Sequence, residues 1–543
     1  MVQLITASDL KNMLDTQVTC ALIDVREPGE YNASHIAGAS LVPRRQLEFR
    51  MHRLVHHKKT LMVVCDDDCQ RAPLAADTLE QMGYTQVRML AGGLNRWTTE
   101  GYATEWGVNV PSKDFGEKME VQHHIPVMHP EELQDRLQRG DKIVILDSRT
   151  PEEHQRVTIP QARSAPNGEL ALRISAFAPD PETTVVVHCA GRTRSIIGAR
   201  LLQRMGMSNV YDLRNGTMGW QMAGLELEYG SSRSDLPEPT PEGRHAAEAF
   251  ASQLATEDGV QYLTIEALQT LITRSEQENV YLIDVRTEAE YANGHIPAFQ
   301  WSPGGQAVQR ADDLVAVRNG QIVFACDGRV RATVAASWYR QMGFPNVYAV
   351  DGGINAWTAS GLSLEQSTTN ETAGGYDEGL ISNDLPFGYE TAKRKVDTIT
   401  PQALQHLLSD PEPPVVIFVD TSQDFSRGHV PGAHWIPRGW LEFRVTGVVT
   451  AKATPVVVTC TDGLNAVLAG GVLKETGYQQ VTVLEGGMAA WQQAGLAVEQ
   501  GLSGVMSPPH DVLPMGIDRN WADAMHYLRW EEALGKKYAA PHA

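Results

Sequence analysis

Four times in this chain an apolar run ends in cysteine, a short loop and a helix follow, and a Gly-Gly or Asn-Gly pair leads to tryptophan. The cysteines are Cys65, Cys189, Cys326 and Cys460. From each of the last three, a glycine stands 17 residues on (Gly206, Gly343, Gly477) and the second residue of the pair 27 residues on (Gly216, Gly353, Gly487). Trp220, Trp357 and Trp491 come four later. The first copy runs Cys65, Gly83, Gly93, Trp97, with both early spacings longer by one. Such regularity means four copies of one domain, each placing a thiol at the same point of its fold.

Each copy opens with a short helix (6–15, 129–139, 264–274, 400–409), with Thr6, Thr264 and Thr400 at N-cap positions. A strand then runs to an aspartate: Asp24, Asp147, Asp284, Asp420. The strands before the cysteines (LMVV, VVVH, IVFA, VVVT) and before the glycine pairs are continuous apolar runs, not alternating ones. Strands buried on both faces and separated by helices predict an α/β fold: four tandem domains, each a parallel sheet flanked by helices on both faces. The joints are polar and rich in Pro, Gly or Ser, at 102–126, 230–248 and 365–398. They place the domains at 1–124, 125–240, 255–370 and 396–500. A C-terminal tail, 501–543, carries aromatic residues and a helical stretch near 519–537 that is expected to pack on a domain.

A chain of 543 residues is too long for one core. It holds no run of 18 apolar residues, so no membrane span is expected, and its first residues lack the pattern of a secretion signal. Six cysteines in this length are not a disulfide scaffold, and four equivalent ones suggest reduced thiols in a cytoplasmic setting. The formal charge of −20 argues against nucleic acid as a general partner and makes any local cationic site more informative.

A thiol at the C-terminal end of a parallel strand, just before a helix, faces inward-turning backbone N–H groups and a positive helix end. Both are expected to lower its pKa and to hold an anion. The four loops differ in charge. The second reads Cys189-Ala190-Gly191-Arg192-Thr193-Arg194-Ser195, with two cations and no acid. The third has Arg329 and Arg331 but also Asp327. The fourth has Asp462, and Asn465 where the second arginine should stand. The first carries Asp66, Asp67 and Asp68. One charge at 4 Å is worth roughly 1 kcal/mol in water and about 4 near a protein surface. This ranks Cys189 first as nucleophile, Cys326 second, and Cys65 and Cys460 last.

These residues resemble the rhodanese family of sulfurtransferases over nearly the whole chain, and the layout is similar to that of bacterial four-domain rhodaneses. Active members have a six-residue loop opening with the catalytic cysteine, commonly ending in arginine with Ser or Thr following. Cys189 through Arg194 and then Ser195 match, as do Cys326 through Arg331 apart from Ala332. The family's opening pattern appears as Asp24-Val25-Arg26 with His35-Ile36-Ala37-Gly38-Ala39, and again as Asp284-Val285-Arg286 with Gly294-His295-Ile296-Pro297. In the second copy Thr158-Ile159-Pro160 stands where the histidine is expected. In the fourth the arginine is missing after Asp420, though Gly428-His429-Val430-Pro431 remains.

The resemblance implies a sulfur relay from thiosulfate, or another sulfane-sulfur donor, through a cysteine persulfide to a thiol, cyanide or protein acceptor. Cys189 would carry the sulfur, with Cys326 as a possible second nucleophile. Ala190, Gly191, Arg192, Thr193, Arg194 and Ser195, and in the third copy Arg329 and Arg331, would bind substrate. No metal or organic cofactor is implied. A 3-mercaptopyruvate preference is disfavoured, because none of the loops has the Cys-Gly-x-Gly-Val-Thr form of that branch. The alternative is a persulfide carrier or scaffold whose domains mostly do no catalysis.

The first loop admits other readings. With Arg71 six residues after Cys65, it has the spacing of Cdc25-type phosphatases, against which its three aspartates weigh. Cys65 and Cys69 could also form a redox pair. A decayed, structural domain with a lengthened loop is the reading adopted. The Asp-x-Arg pairs and His35, His295 and His429 read as ties between loops, and His188 as facing away from Cys189.

Overall fold

The structure is a computed structural model and describes residues 2–275, 277–366 and 385–539. The chain divides into two compact units: Met1–Trp106 with Glu371–Leu513, and Gly107–Asn370 with Pro514–Ala543. The first repeat therefore shares a unit with the fourth, and the second with the third and with the part of the tail from Pro514 on.

Each repeat is a five-stranded sheet whose pairings are all parallel. In the first, the order is Gln3–Ile5, Val87–Leu90, Met62–Cys65, Ala21–Asp24, Ser40–Leu41, and the other three repeat it. The α/β class read from the continuous apolar strands is the one observed. Thr6, Thr264 and Thr400 cap the opening helices, each side-chain oxygen accepting an N–H of the first turn. In every sheet the cysteine strand is central, so its C-terminal end opens where parallel α/β sheets bind ligands.

The joints differ from expectation. Residues 102–126 contain the helix Val110–His123, which packs on the helix following Cys189 and groups with the second unit. After the stretch 230–240 comes the helix Pro241–Asp258, lying against helices of both the second and third repeats. Residues 367–384 of the third joint lie outside the described residues. The tail forms the helix Trp521–Ala539, packed along Val110–His123. No helix among the described residues is long and apolar enough to cross a membrane.

Strand register corrects the reading of the fourth copy. Its strand is Val415–Phe418, and Phe418 pairs with Thr459 as Asp284 pairs with Ala325. Phe418 thus holds the usual aspartate position, and Asp420 holds that of the arginine.

Candidate active site

Each loop is pinned to the glycine pair that follows it. The carbonyls of Cys189, Cys326 and Cys460 accept from the backbone N–H of Thr217, Ile354 and Met488 at 2.9, 2.9 and 2.8 Å. The preceding glycine is obligatory: Gly216 has φ +53°, and a Cβ there would lie 2.1 Å from the Cys189 carbonyl oxygen.

In the first copy the residue pinned in this way is Asp66, whose carbonyl accepts from Leu94 N at 2.8 Å. Asp24 pairs with Cys65, whereas Asp147 pairs with His188 and Asp284 with Ala325. Cys65 is therefore the counterpart of His188, and Asp66 stands in the nucleophile's place. The loop is not lengthened: Arg71 lies five residues after Asp66, as Arg194 does after Cys189, which removes the phosphatase spacing. The Asp66 carboxylate accepts from the backbone N–H groups of Cys69, Arg71 and Ala72 at 2.7, 2.7 and 2.9 Å. A built-in anion fills the nest. The sequence carried the signal, since Gly83 and Gly93 lie 17 and 27 residues after Asp66.

In the second copy Cys189 follows the strand Thr184–His188, is 3% exposed, and precedes the helix Thr193–Arg204. Its Sγ lies 3.4 Å from Ser195 Oγ. Burial pushes the thiol pKa up, with Asp212 adding to it, against Arg194, the Ser195 hydroxyl and the Ser195 N–H, which favour thiolate. The expected net lowering is thus reversed, in this loop and in the others: desolvation outweighs the nest. Burial pushes Cys326 up to about 12, with Asp327 adding to it and Arg331 opposing it. Cys460 is raised well above the usual range by burial, Asp420 and Asp462. Its Sγ accepts the N–H groups of Gly463 and Ala466 at 3.0 and 3.3 Å, but Asp420, Cys460 and Asp462 present ligand atoms within 4.8 Å of one another, an acidic surround that repels anions.

The loop arginines are committed elsewhere, which corrects the charge count made from the sequence. Arg194 grips Glu153 with both Nη atoms, at 2.6 and 2.8 Å. The same tie joins Arg71 to Glu30 and Arg331 to Glu290, always across 41 residues. Arg331 also reaches Glu169 and Asp327, each at 2.9 Å. Arg192, with 1% of its side chain exposed, is held by Glu117 at 2.6 and 2.9 Å and by Glu120. Arg329 pairs with Asp351 at the surface. These cations contribute field at the loops, while their side chains are tied to carboxylates that, Asp327 apart, lie far from them in sequence.

The tail closes over the second loop. Glu531 accepts from Thr193 Oγ1 at 3.2 Å and from Tyr527 at 2.7 Å. A Cβ at Gly191 would lie 3.5 Å from Glu531 Oε2 and 3.7 Å from Tyr527 Cε1, and one at Gly516 3.4 Å from Ala190 Cβ.

The remaining motifs are structural. Asp24–Arg26, Asp147–Arg149 and Asp284–Arg286 are buried ion pairs. His35, His295 and His429 stack on Tyr31, Tyr291 and Phe425. In the second copy Thr158 and His154 instead both bond Asp147. His188 is buried, with its pKa pushed down to about 4 by desolvation, and its ring lies towards Asp147.

The family model described as Rhodanese-like domain matches residues 6–100, 129–223, 267–360 and 400–494. A solved structure of a thiosulfate sulfurtransferase from Pseudomonas aeruginosa is similar over 99% of this chain and 98% of its own, at 35% identity and a TM-score of 0.87. A putative thiosulfate sulfurtransferase from Synechococcus elongatus is 26% identical over 242 residues, 38% of this chain and 70% of its own length. The uncharacterized protein YqhL of Bacillus subtilis is 38% identical over 76 residues, 14% of this chain; the match spans 59% of that relative's length.

Proposed function

The chain belongs to the rhodanese family, with its domain in four tandem copies, and from that premise we propose a cytoplasmic sulfurtransferase that takes sulfane sulfur from thiosulfate and works through Cys189. The thiol gives its proton to solvent, and the thiolate attacks the outer sulfur of the donor. The donor's sulfur–sulfur bond breaks, sulfite leaves with the bonding pair, and a persulfide remains on Cys189. A cyanide ion or a thiolate then attacks the outer sulfur. Thiocyanate or a new persulfide departs, and the Cys189 thiolate is restored. Backbone N–H groups of the loop hold the anionic sulfur, while Arg192 and Arg194 act through their field. Cys326 is the second candidate, handicapped by Asp327.

One observation carries this reading. Cys189 is the loop thiol on which an arginine, a hydroxyl and a backbone N–H all act to favour thiolate, against burial and the neighbouring Asp212, with no carboxylate inside its own loop. The test is peptide mapping after exposure of the full-length protein to thiosulfate. Added sulfur on the Cys189 peptide supports the proposal. Sulfur found on Cys326 or Cys460 alone, or on none, overturns it.

A carrier role is the second reading, favoured by the carboxylates that occupy or ring two of the four loops. It is preferred if loaded Cys189 gives up its sulfur to protein thiols and not to cyanide.

A further inference from the structure

Asp212 lies in the strand Val210–Leu213, wholly buried, and among the described residues neither of its carboxyl oxygens makes a well-formed hydrogen bond, the Ser195 hydroxyl acting on it from nearby. It pairs with Val187, two residues before Cys189, and so lies on the sheet face that leads to the thiol. The same strand position holds Met89, Ala349 and Val483 in the other copies. The sixth residue after the nucleophile position is Ser195 here and Ala72, Ala332 or Ala466 elsewhere. Two buried polar residues thus occur together, and only in the copy whose loop has arginines and no acid. They are also neighbours. Ser195 Oγ lies 3.4 Å from Cys189 Sγ and donates to the Arg192 carbonyl at 2.8 Å, and its hydroxyl acts on the Asp212 carboxyl.

A carboxylate sealed from water with no well-formed hydrogen bond is heavily penalised, so the group holds its proton. Burial pushes its pKa up to about 8, against Ser195 and Arg192. A neutral acid in that place is a hydrogen-bond donor.

We propose that Asp212 is a positioning residue for Cys189: as a neutral carboxylic acid it donates to Ser195 Oγ, which turns the serine hydroxyl from the Arg192 carbonyl onto the sulfur. The thiolate, and the persulfide after it, then receive a hydrogen bond oriented from behind. No proton changes owner. The inference rests on Cys189 being the sulfur-carrying thiol.

The arrangement has a defined pH response. As pH rises through about 8, Asp212 ionises, can no longer donate, and sets a negative charge behind the sulfur. The charged groups facing Asp212 are Arg192 from the loop and Glu117 and Glu120 from the helix Val110–His123. Glu117, pushed up to about 7 by burial, titrates nearby, so the pH response must be assigned by substitution.

The experiment is alkylation of Cys189 by iodoacetamide in the full-length protein, followed by peptide mapping across the neutral and alkaline range. In the wild type the rate rises with pH and flattens above about 8. Asp212→Asn keeps a donor and cannot ionise; its neutral rate changes by no more than about twofold and the flattening disappears. Asp212→Leu and Ser195→Ala lose the donor chain and slow alkylation at neutral pH by about tenfold, equivalent to one pKa unit. Wild-type rates in Ser195→Ala and Asp212→Leu, or a flattening retained in Asp212→Asn, overturn the inference. Alkylation needs no sulfur donor. Failure of Cys189 to take sulfur from thiosulfate would sink the functional reading alone and leave this measurement interpretable.

Discussion

Asp66 in the first domain occupies the place that Cys189 holds in the second: each offers its carbonyl to the residue after the paired glycine, Leu94 at 2.8 Å and Thr217 at 2.9 Å. Where Cys189 carries a thiol, Asp66 carries a carboxylate already bonded to three backbone N–H groups. The first domain keeps the loop's cradle of backbone N–H groups, with a carboxylate of the chain itself bonded in it.

Asp66→Ala leaves those three donors without their acceptor. It should destabilise the chain by about 3 kcal/mol, read from urea unfolding, because buried donors lose charge-assisted bonds. Cys65→Ala, one residue earlier, should leave sulfur transfer unchanged; loss of transfer would refute the register assigned to this loop.

Cys189→Ser should abolish thiosulfate:cyanide transfer. Cys460→Ser should alter it by less than about twofold, since a thiol ringed by Asp420 and Asp462 is a poor thiolate. Steady-state rates of the two variants decide this, and silencing by Cys460→Ser would reverse the ranking.

Arg331→Ala breaks a buried pair and should cost roughly 3 kcal/mol at neutral pH by leaving Glu290 uncompensated. Against the burial that would raise it, Arg331 holds the Glu290 carboxyl down to about 2. The stability from this depressed pKa is complete above the ordinary glutamate range and is lost as pH falls towards about 2. Thermal unfolding across acid pH should show that loss in the wild type and a flatter profile in the variant.

Tail residues lie against Thr193, Gly191 and Ala190 of the loop that Cys189 opens, and Cys189 is buried. Truncation after Leu513 should speed iodoacetamide labelling of Cys189 by about tenfold or more, because removing the closed cover removes an opening step. Equal labelling rates, with circular dichroism confirming a folded second domain, would show that reagents reach the thiol by another route.

The fold was legible because spacing is a local property. Continuous apolar strands, threonine caps and glycines at fixed intervals each act within a few residues of themselves, and the structure has them in the order the sequence placed them. The site was legible only where it too is local: the run from Cys189 to Ser195 is one loop and one helix start. Phe418 and Asp420 show the limit. The fourth strand reads as ending in aspartate, yet cross-strand pairing with Thr459 shifts the assignment by two residues.

By itself the sequence determined how many domains there are, their parallel sheets, and the loop in which a thiol has two arginines and no acid beside it. Tertiary structure decided what those cations face. Glu153 lies 41 residues from Arg194, Glu117 lies 75 residues from Arg192, and Glu531 lies 338 residues from Thr193. The energy of a charge depends on distance in space and on burial, which chain separation does not specify. Only folding could turn a count of arginines into neutralised pairs and set Asp212 beside Val187, two residues before the thiol.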